Sequence, residues 1–177
     1  MRTVSIRLYL AAALLIGAGQ LLAGCGGSTD NSPSLPRVAG TYSITESIDT
    51  APCAPVDPPP GGTVRLEAFS QTYDVQITQS GSTLSLYEVG HPESAEAGTI
   101  QADSTISFSG EFVFQEAPRE GNRVFFVDLT ITRDLQLQST GQIAGSSSYV
   151  DVFHEGASTA PVYATCSRQG AAQLVPK

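Results

Sequence analysis

The chain has 177 residues and carries 17 acidic against 9 basic side chains, which gives a formal net charge of −8 at pH 7. Nucleic acid is excluded as a natural partner, because phosphate binding depends on clustered lysine and arginine. Contact with anionic lipid headgroups is unfavourable for the same reason. Lys177 is the only lysine, so Schiff-base chemistry and a Ser-x-x-Lys nucleophile pair are excluded from the body of the chain.

Residues 1–24 have the three parts of a secretory signal peptide. Arg2 and Arg7 form a positive amino-terminal region, residues 8–16 form an apolar core, and small residues follow. The apolar segment is too short to span a bilayer as a helix. Its end, Leu-Ala-Gly-Cys at residues 22–25, resembles the lipobox of bacterial lipoproteins, a small-residue tetrad that closes with a cysteine.

This resemblance implies that Cys25 receives a diacylglyceryl group and that signal peptidase II cleaves before it. Two or three acyl chains on one cysteine hold a protein firmly, whereas a single chain binds reversibly. In that family an Asp after the cysteine tends to retain the protein in the inner membrane, and Gly26 is not Asp. For a Gram-negative organism we expect an outer-membrane anchor through the Cys25 lipid. The alternative is an ordinary secretory signal that leaves Cys25 as a free thiol, a hazard in an oxidising compartment.

Residues 25–37 are small and polar and include two prolines. They offer too little apolar surface to pack, so we expect a tether behind the lipidated cysteine. About 12 flexible residues have a root-mean-square reach of roughly 20 Å. Residues 38–177 are then long enough for one domain with its own core.

From residue 40 onward the dominant hydrophobic period is two, which predicts antiparallel strands with one buried and one wet face. The predicted strands cover residues 41–48, 64–68, 73–78, 105–115, 122–138, 141–154 and 160–167. No long window shows a helical stripe. Residues 92–97 suit one helical turn in a loop, and residues 167–174 suit a frayed end or a short terminal helix.

Residues 79–86 and 101–108 align without gaps at an offset of 22 residues, and each combines a turn with the start of a strand. That offset corresponds to one hairpin and is typical of a meander; chance recurrence of turn residues is the alternative. Val-Phe-Phe-Val at residues 124–127 breaks the alternation. This run predicts a strand covered on both faces by the C-terminal segment, a loop or a second subunit.

With Cys25 lipidated, Cys53 and Cys166 remain as one pair, which we expect to form a disulfide in an oxidising compartment. The bond requires Cα atoms within about 7 Å of each other, so the first and last strands must be neighbours. A meander whose ends meet is a closed barrel without exposed edges. We therefore expect an all-β antiparallel meander of about 8–9 strands that closes into a barrel. A two-sheet β-sandwich is the alternative.

Residues 40–167 resemble the small lipocalin-like β-domains of secreted bacterial lipoproteins of unknown role. The likeness rests on Gly40-Thr41-Tyr42 at the first strand, on serine-threonine hairpins and on a cysteine in the last strand. The lipocalin Gly-x-Trp signature is not met, because the chain has no Trp. The resemblance therefore implies a fold and transfers no functional residue.

The sequence contains no Gly-x-Ser-x-Gly, His-Glu-x-x-His, Walker or dinucleotide motif, so we expect no catalytic residue and no cofactor. His91 and His154 have acids nearby, and with Glu93 or Glu155 they would supply a zinc site if they converged. Two exposed histidines in an acidic protein are the favoured interpretation, and we expect no metal.

We therefore expect a non-enzymatic binding module on the envelope, for a small apolar ligand in the barrel mouth or for a protein. The first alternative is a structural or assembly lipoprotein that contacts another envelope protein. The second alternative is an envelope hydrolase. A hollow or a filled barrel interior distinguishes the first two functions.

Overall fold

The computed structural model describes residues 34–55, 65–115 and 124–177. The expected signal peptide, Cys25 and most of the expected tether lie outside the described residues. Within the described ranges no helix is long and apolar enough to cross a membrane.

The described residues form ten β-strands and no helix. In chain order the strands are β1 (Gly40–Ile48), β2 (Ala51–Pro55), β3 (Arg65–Leu66), β4 (Phe69–Ser80), β5 (Thr83–Glu88), β6 (His91–Ile100), β7 (Thr105–Gln115), β8 (Phe125–Leu137), β9 (Ile143–Glu155) and β10 (Val162–Pro176).

The sheet closes into a barrel. Strands β4 to β10 follow one another as an antiparallel meander, and β1 pairs with both β4 and β10. Eight strands, β1 and β4 to β10, therefore form a closed wall, as in a lipocalin-like barrel. Strand β2 pairs with the first part of β10, and β3 extends the sheet beyond β2. The expected closed antiparallel barrel is confirmed, and the β-sandwich alternative is wrong.

The C-terminal residues complete this closure. The expectation of a frayed end or helix at residues 167–174 is wrong, because these residues continue β10 and pair with β1 from Gly170 to Pro176. Buried Ala172 and Leu174 alternate there with exposed neighbours, which is a strand pattern. The helical turn at residues 92–97 is also wrong, since they belong to β6.

The repeated segments take equivalent places in the meander. One begins β5 and the other begins β7, with β6 between them. The offset of 22 residues therefore spans one hairpin, as expected. In both segments the two apolar positions, Leu84 and Leu86 or Ile106 and Phe108, are buried.

Apolar side chains fill one end of the barrel, which we call the apolar end. All eight barrel strands contribute to it, and its members are Val38, Tyr42, Ile44, Val75, Ile77, Leu84, Leu86, Ile100, Ile106, Phe108, Leu135, Ile143, Ala172 and Leu174. Full burial of one such large side chain contributes roughly 1.5–3 kcal/mol. This packing leaves no hollow core at that end of the described barrel.

Two glycines allow neighbouring strands to approach closely at the curved wall. A Cβ at Gly170 would collide with the carbonyl oxygen of Ser47, and a Cβ at Gly145 would collide with that of Asp134. Both collisions involve backbone atoms, so a larger residue at either position would force two strands apart.

A second cluster surrounds the two paired cysteines. Cys53 in β2 lies directly opposite Cys166 in β10, and a disulfide joins them with a Cα–Cα distance of 4.1 Å. Cys53 therefore lies in a strand. The cluster also contains Leu66, Phe125, Val127, Phe153 and Ala164.

This cluster explains the apolar run at residues 124–127. Phe125 and Val127 are buried on one face of β8, and Phe126 is half-buried on the other. The ring of Phe125 lies 6.3 Å from that of Phe153 and 5.2 Å from that of Tyr163. The cover of this face therefore comes from within the chain.

Candidate functional site

Next to the apolar end, the inward-facing positions of the barrel carry charge. We call this set the charged layer; it consists of Glu46 on β1, Tyr73 on β4, Glu96 on β6, Arg133 on β8 and Tyr149 on β9. These side chains occupy inward-facing positions that continue the two-residue period of their strands. On β1, for example, Glu46 follows buried Ile44 by two residues.

Arg133 is the centre of the charged layer, and its side chain is 1% exposed. Its Nε and Nη2 donate to Oε1 of Glu46 at 3.2 and 3.0 Å. Its Nη1 donates to Oε2 of Glu96. One buried guanidinium therefore faces two buried carboxylates.

Glu46 has a full set of hydrogen-bond donors. Besides Arg133, Ser147 donates to Oε1 at 3.0 Å. Oε2 accepts from three side chains: Tyr149 at 2.7 Å, Tyr73 at 2.9 Å and Gln71 at 3.4 Å. Burial by itself would raise the pKa of Glu46, but Arg133 and the hydroxyl donors outweigh burial and lower that pKa below its ordinary value.

Glu96 is in the opposite situation. Glu96 is only 4% exposed, yet Arg133 is the only described residue whose side chain donates a hydrogen bond to its carboxylate. Burial raises the pKa of Glu96 above its ordinary value; Arg133 opposes this shift and Glu46 adds to it. Gly110 on β7 provides space here, because a Cβ at Gly110 would lie 2.7 Å from Cγ of Glu96.

The two tyrosines of the charged layer act as donors. Burial raises the pKa of Tyr73 and of Tyr149 far above the ordinary phenol value, and the charge of Glu46 raises both further. Both hydroxyls therefore stay protonated and hold Glu46 as a carboxylate. Neither phenol is set up to act as a nucleophile.

A cleft of about 320 Å³ opens beside the charged layer, and we call it the side cleft. The cleft lies where neighbouring strands of the barrel wall are not paired. Strand β5 pairs with β4 only from Val75 onward, and β6 pairs with β7 only from Ala97 onward. Tyr73 and Glu96 of the charged layer both line it. The remaining lining residues include apolar Leu86, Phe112 and Ile131 and polar Glu88 and Ser94.

A second buried ion pair has balanced charge. Arg168 on β10 donates to both carboxylate oxygens of Asp151 on β9, with the shortest contact at 2.8 Å. The guanidinium also lies 5.2 Å from the ring centre of Phe69. Burial raises the pKa of Asp151, and Arg168 opposes that shift. Asp151 thus has a cation of its own, whereas Glu46 and Glu96 in the charged layer share one.

The histidines do not assemble a metal site. His91 is exposed, and its Nδ1 lies 3.0 Å from Oε1 of Glu93. His154 is buried, so the expectation of two exposed histidines is wrong for it; its Nδ1 donates to the carbonyl oxygen of Ala160 at 2.6 Å. Among the described residues no three potential metal ligands come together.

The sequence carries a signal for part of the charged layer. Glu46 stands between Ile44 and Ile48 on one face, and Arg133 stands between Ile131 and Leu135. Opposite charges at inward positions of two strands indicate a buried pair. Glu96 had no such signal, because β6 shows no apolar alternation before Ala97.

No family model, curated protein or solved structure matches this chain. Function therefore has to be inferred from the charged layer and the side cleft. The arrangement offers a buried carboxyl group that accepts a hydrogen bond from only one described side chain and that lies beside apolar residues.

Proposed function

We propose that the protein is a lipid-anchored envelope lipoprotein that works as a non-enzymatic binding module for a small molecule. The observation that supports this function is the side cleft, because it is a concave site that adjoins the buried carboxyl group of Glu96. Its volume of about 320 Å³ lies at the low end of ligand pockets. The ligand is therefore small.

The carboxylates that line the cleft restrict the chemical class of the ligand further. A purely apolar ligand in the side cleft would remove water from Glu96 and Glu88 without giving either a partner. The proposed ligand therefore combines a polar group with an apolar part. This revises the expectation of an apolar ligand.

The side cleft can be tested by filling it. Ser94 lines the cleft, and Ser109 lies exposed on β7. In an NMR screen of small polar and charged compounds against the full-length chain in detergent, hits should shift the amide signals of cleft residues. Ser94→Trp should abolish those shifts, whereas Ser109→Trp should keep them. Hits that persist in Ser94→Trp would place binding elsewhere and contradict the proposal.

The anchor is supported by the lipobox-like residues 22–25 and by the small, polar residues that follow them. Mass spectrometry of the membrane fraction should show a chain that starts at Cys25 and is heavier by a diacylglycerol or more. Cys25→Ser should release the domain or stop its processing. Gly26→Asp should move the protein from the outer to the inner membrane. A wild-type chain that is recovered soluble and unmodified would refute the anchor.

The structural or assembly role has no comparable support. Its only hint was the apolar run at residues 124–127, and packing against Phe153 and Tyr163 now accounts for Phe125. We propose no reaction, because the protonated hydroxyls of Tyr73 and Tyr149 serve as donors to Glu46.

A further inference from the structure

The charged layer is short of one positive charge. Arg133 bonds to both Glu46 and Glu96, while the neighbouring Arg168 is already matched by Asp151. An uncompensated charge away from water is costly, and proteins relieve it with a proton or with a cation. The unmatched position is Glu96, because Glu46 accepts hydrogen bonds from five different side chains.

Glu96 is also the carboxylate that faces the side cleft. It is nine-tenths buried, it lines the cleft, and its Oε1 accepts no hydrogen bond from a described residue. A ligand in the cleft therefore meets one carboxylate oxygen with unused acceptor capacity. A second carboxylate, that of Glu88, lines the same cleft.

We infer that the side cleft binds a small organic ammonium ion whose N–H group donates to Glu96. This assignment rests on the binding function proposed above and deepens it. The cation would supply the positive charge that the charged layer lacks, and a charge-assisted hydrogen bond is about twice as strong as a neutral one.

The geometry favours an ammonium over the other cations. A guanidinium binds a carboxylate best through both oxygens, but Oε2 of Glu96 is already taken by Arg133. An ammonium needs only one oxygen. A metal ion is disfavoured, because the described residues bring no three acidic, histidine or cysteine ligands together.

The walls of the cleft define the body of the ligand. Leu86, Phe112 and Ile131 present apolar surface beside Glu96, and this surface suits a short hydrocarbon chain. The aromatic rings of Phe112 and Tyr73 also favour a cation over a neutral head group. A primary amine with a short aliphatic chain meets both conditions.

The test compares three molecules of the same size on the full-length wild-type chain in detergent. The probes are n-butylammonium, the neutral n-butanol and the anionic butyrate, and the readout is the dissociation constant from NMR shifts of cleft residues. Butylammonium should bind at least about tenfold more tightly than butanol, as one charge-assisted hydrogen bond provides. Butyrate should bind most weakly.

Two variants localise the effect. Glu96→Gln should weaken butylammonium binding by about tenfold or more and should remove most of its advantage over butanol. Glu111→Gln is the matched control, because Glu111 is exposed on the next strand; it should change the affinity by less than about twofold.

Equal binding of butylammonium and butanol in the cleft would overturn the ammonium inference and leave the binding function standing. Failure of butylammonium to bind at all would also overturn it, and the Ser94→Trp screen would then decide the binding function separately. The three-probe comparison uses the wild-type chain, so its result does not depend on whether Glu96→Gln folds.

Discussion

The apolar end and the charged layer are neighbouring regions of one barrel, built on the same strands with the same two-residue period. On β1 the inward face passes from Ile44 to Glu46, and on β8 it passes from Leu135 to Arg133. The apolar end is held by contacts that are not directional. The charged layer is held by specific partners. An alternating strand pattern therefore specifies which side chains point inward, but not how the interior is stabilised.

The two regions should respond differently to substitution. Loss of one apolar side chain removes transfer energy and leaves a cavity. Loss of one charged side chain in the charged layer leaves the others buried without partners, which is more costly than the pair itself is stabilising.

The largest loss is expected for Arg133→Met. It removes the buried cation that bonds to both Glu46 and Glu96, and it should lower the free energy of unfolding by about 3–5 kcal/mol. Urea unfolding at pH 7 measures this loss. Lys177→Met is the control, since the ion pair of Lys177 with Asp74 is half-exposed and its loss should cost less than about 1 kcal/mol. Equal losses of unfolding free energy for Arg133→Met and Lys177→Met would contradict the high cost expected for removing a partner from the charged layer.

Ile106→Ala probes the apolar end. Ile106 is completely buried there, so its truncation should cost about 2–5 kcal/mol. The loss should be the same at every pH between about 4 and 8, because the side chains that surround it carry no charge. Urea unfolding at several pH values gives the comparison. A strong pH dependence would show that the two regions are coupled.

The disulfide belongs to the second cluster and lies outside both regions. Cys53→Ala combined with Cys166→Ala should lower the free energy of unfolding by about 2–4 kcal/mol. In a Cys25→Ser background, a thiol assay under denaturing, non-reducing conditions should detect no free thiol. Detection of two thiols per chain would contradict the bond.

The smallest effects concern pH, and the two glutamates should have opposite signs. The folded-state pKa of Glu46 is lowered, so its ionisation stabilises the fold above the unfolded pKa, and this is lost as the pH falls. The folded-state pKa of Glu96 is raised, so the fold loses stability as the pH rises through the range between the unfolded and folded values. Relative to wild type, Glu46→Gln should therefore lose stability with rising pH, and Glu96→Gln should gain it. Equal slopes would contradict the asymmetry.

The closed barrel could be predicted from the sequence, because alternation, turn spacing and one cysteine pair constrain strand order. The end of β10 was missed, since Gly170 and the alanines near it carry little strand propensity; pairing with β1 makes this segment a strand. Glu46 and Arg133 were visible as charges on inward faces. Glu96 was not visible, because β6 shows no apolar alternation before Ala97.

Glu96 is the unmatched carboxylate of the charged layer. An NMR pH titration of the glutamate side-chain carboxyl carbons tests it directly, with Glu46→Gln and Glu96→Gln used to assign the two signals. We expect the pKa of Glu96 to lie above the ordinary glutamate value and that of Glu46 to lie below it. Two coinciding titrations, or the reverse order, would contradict the account.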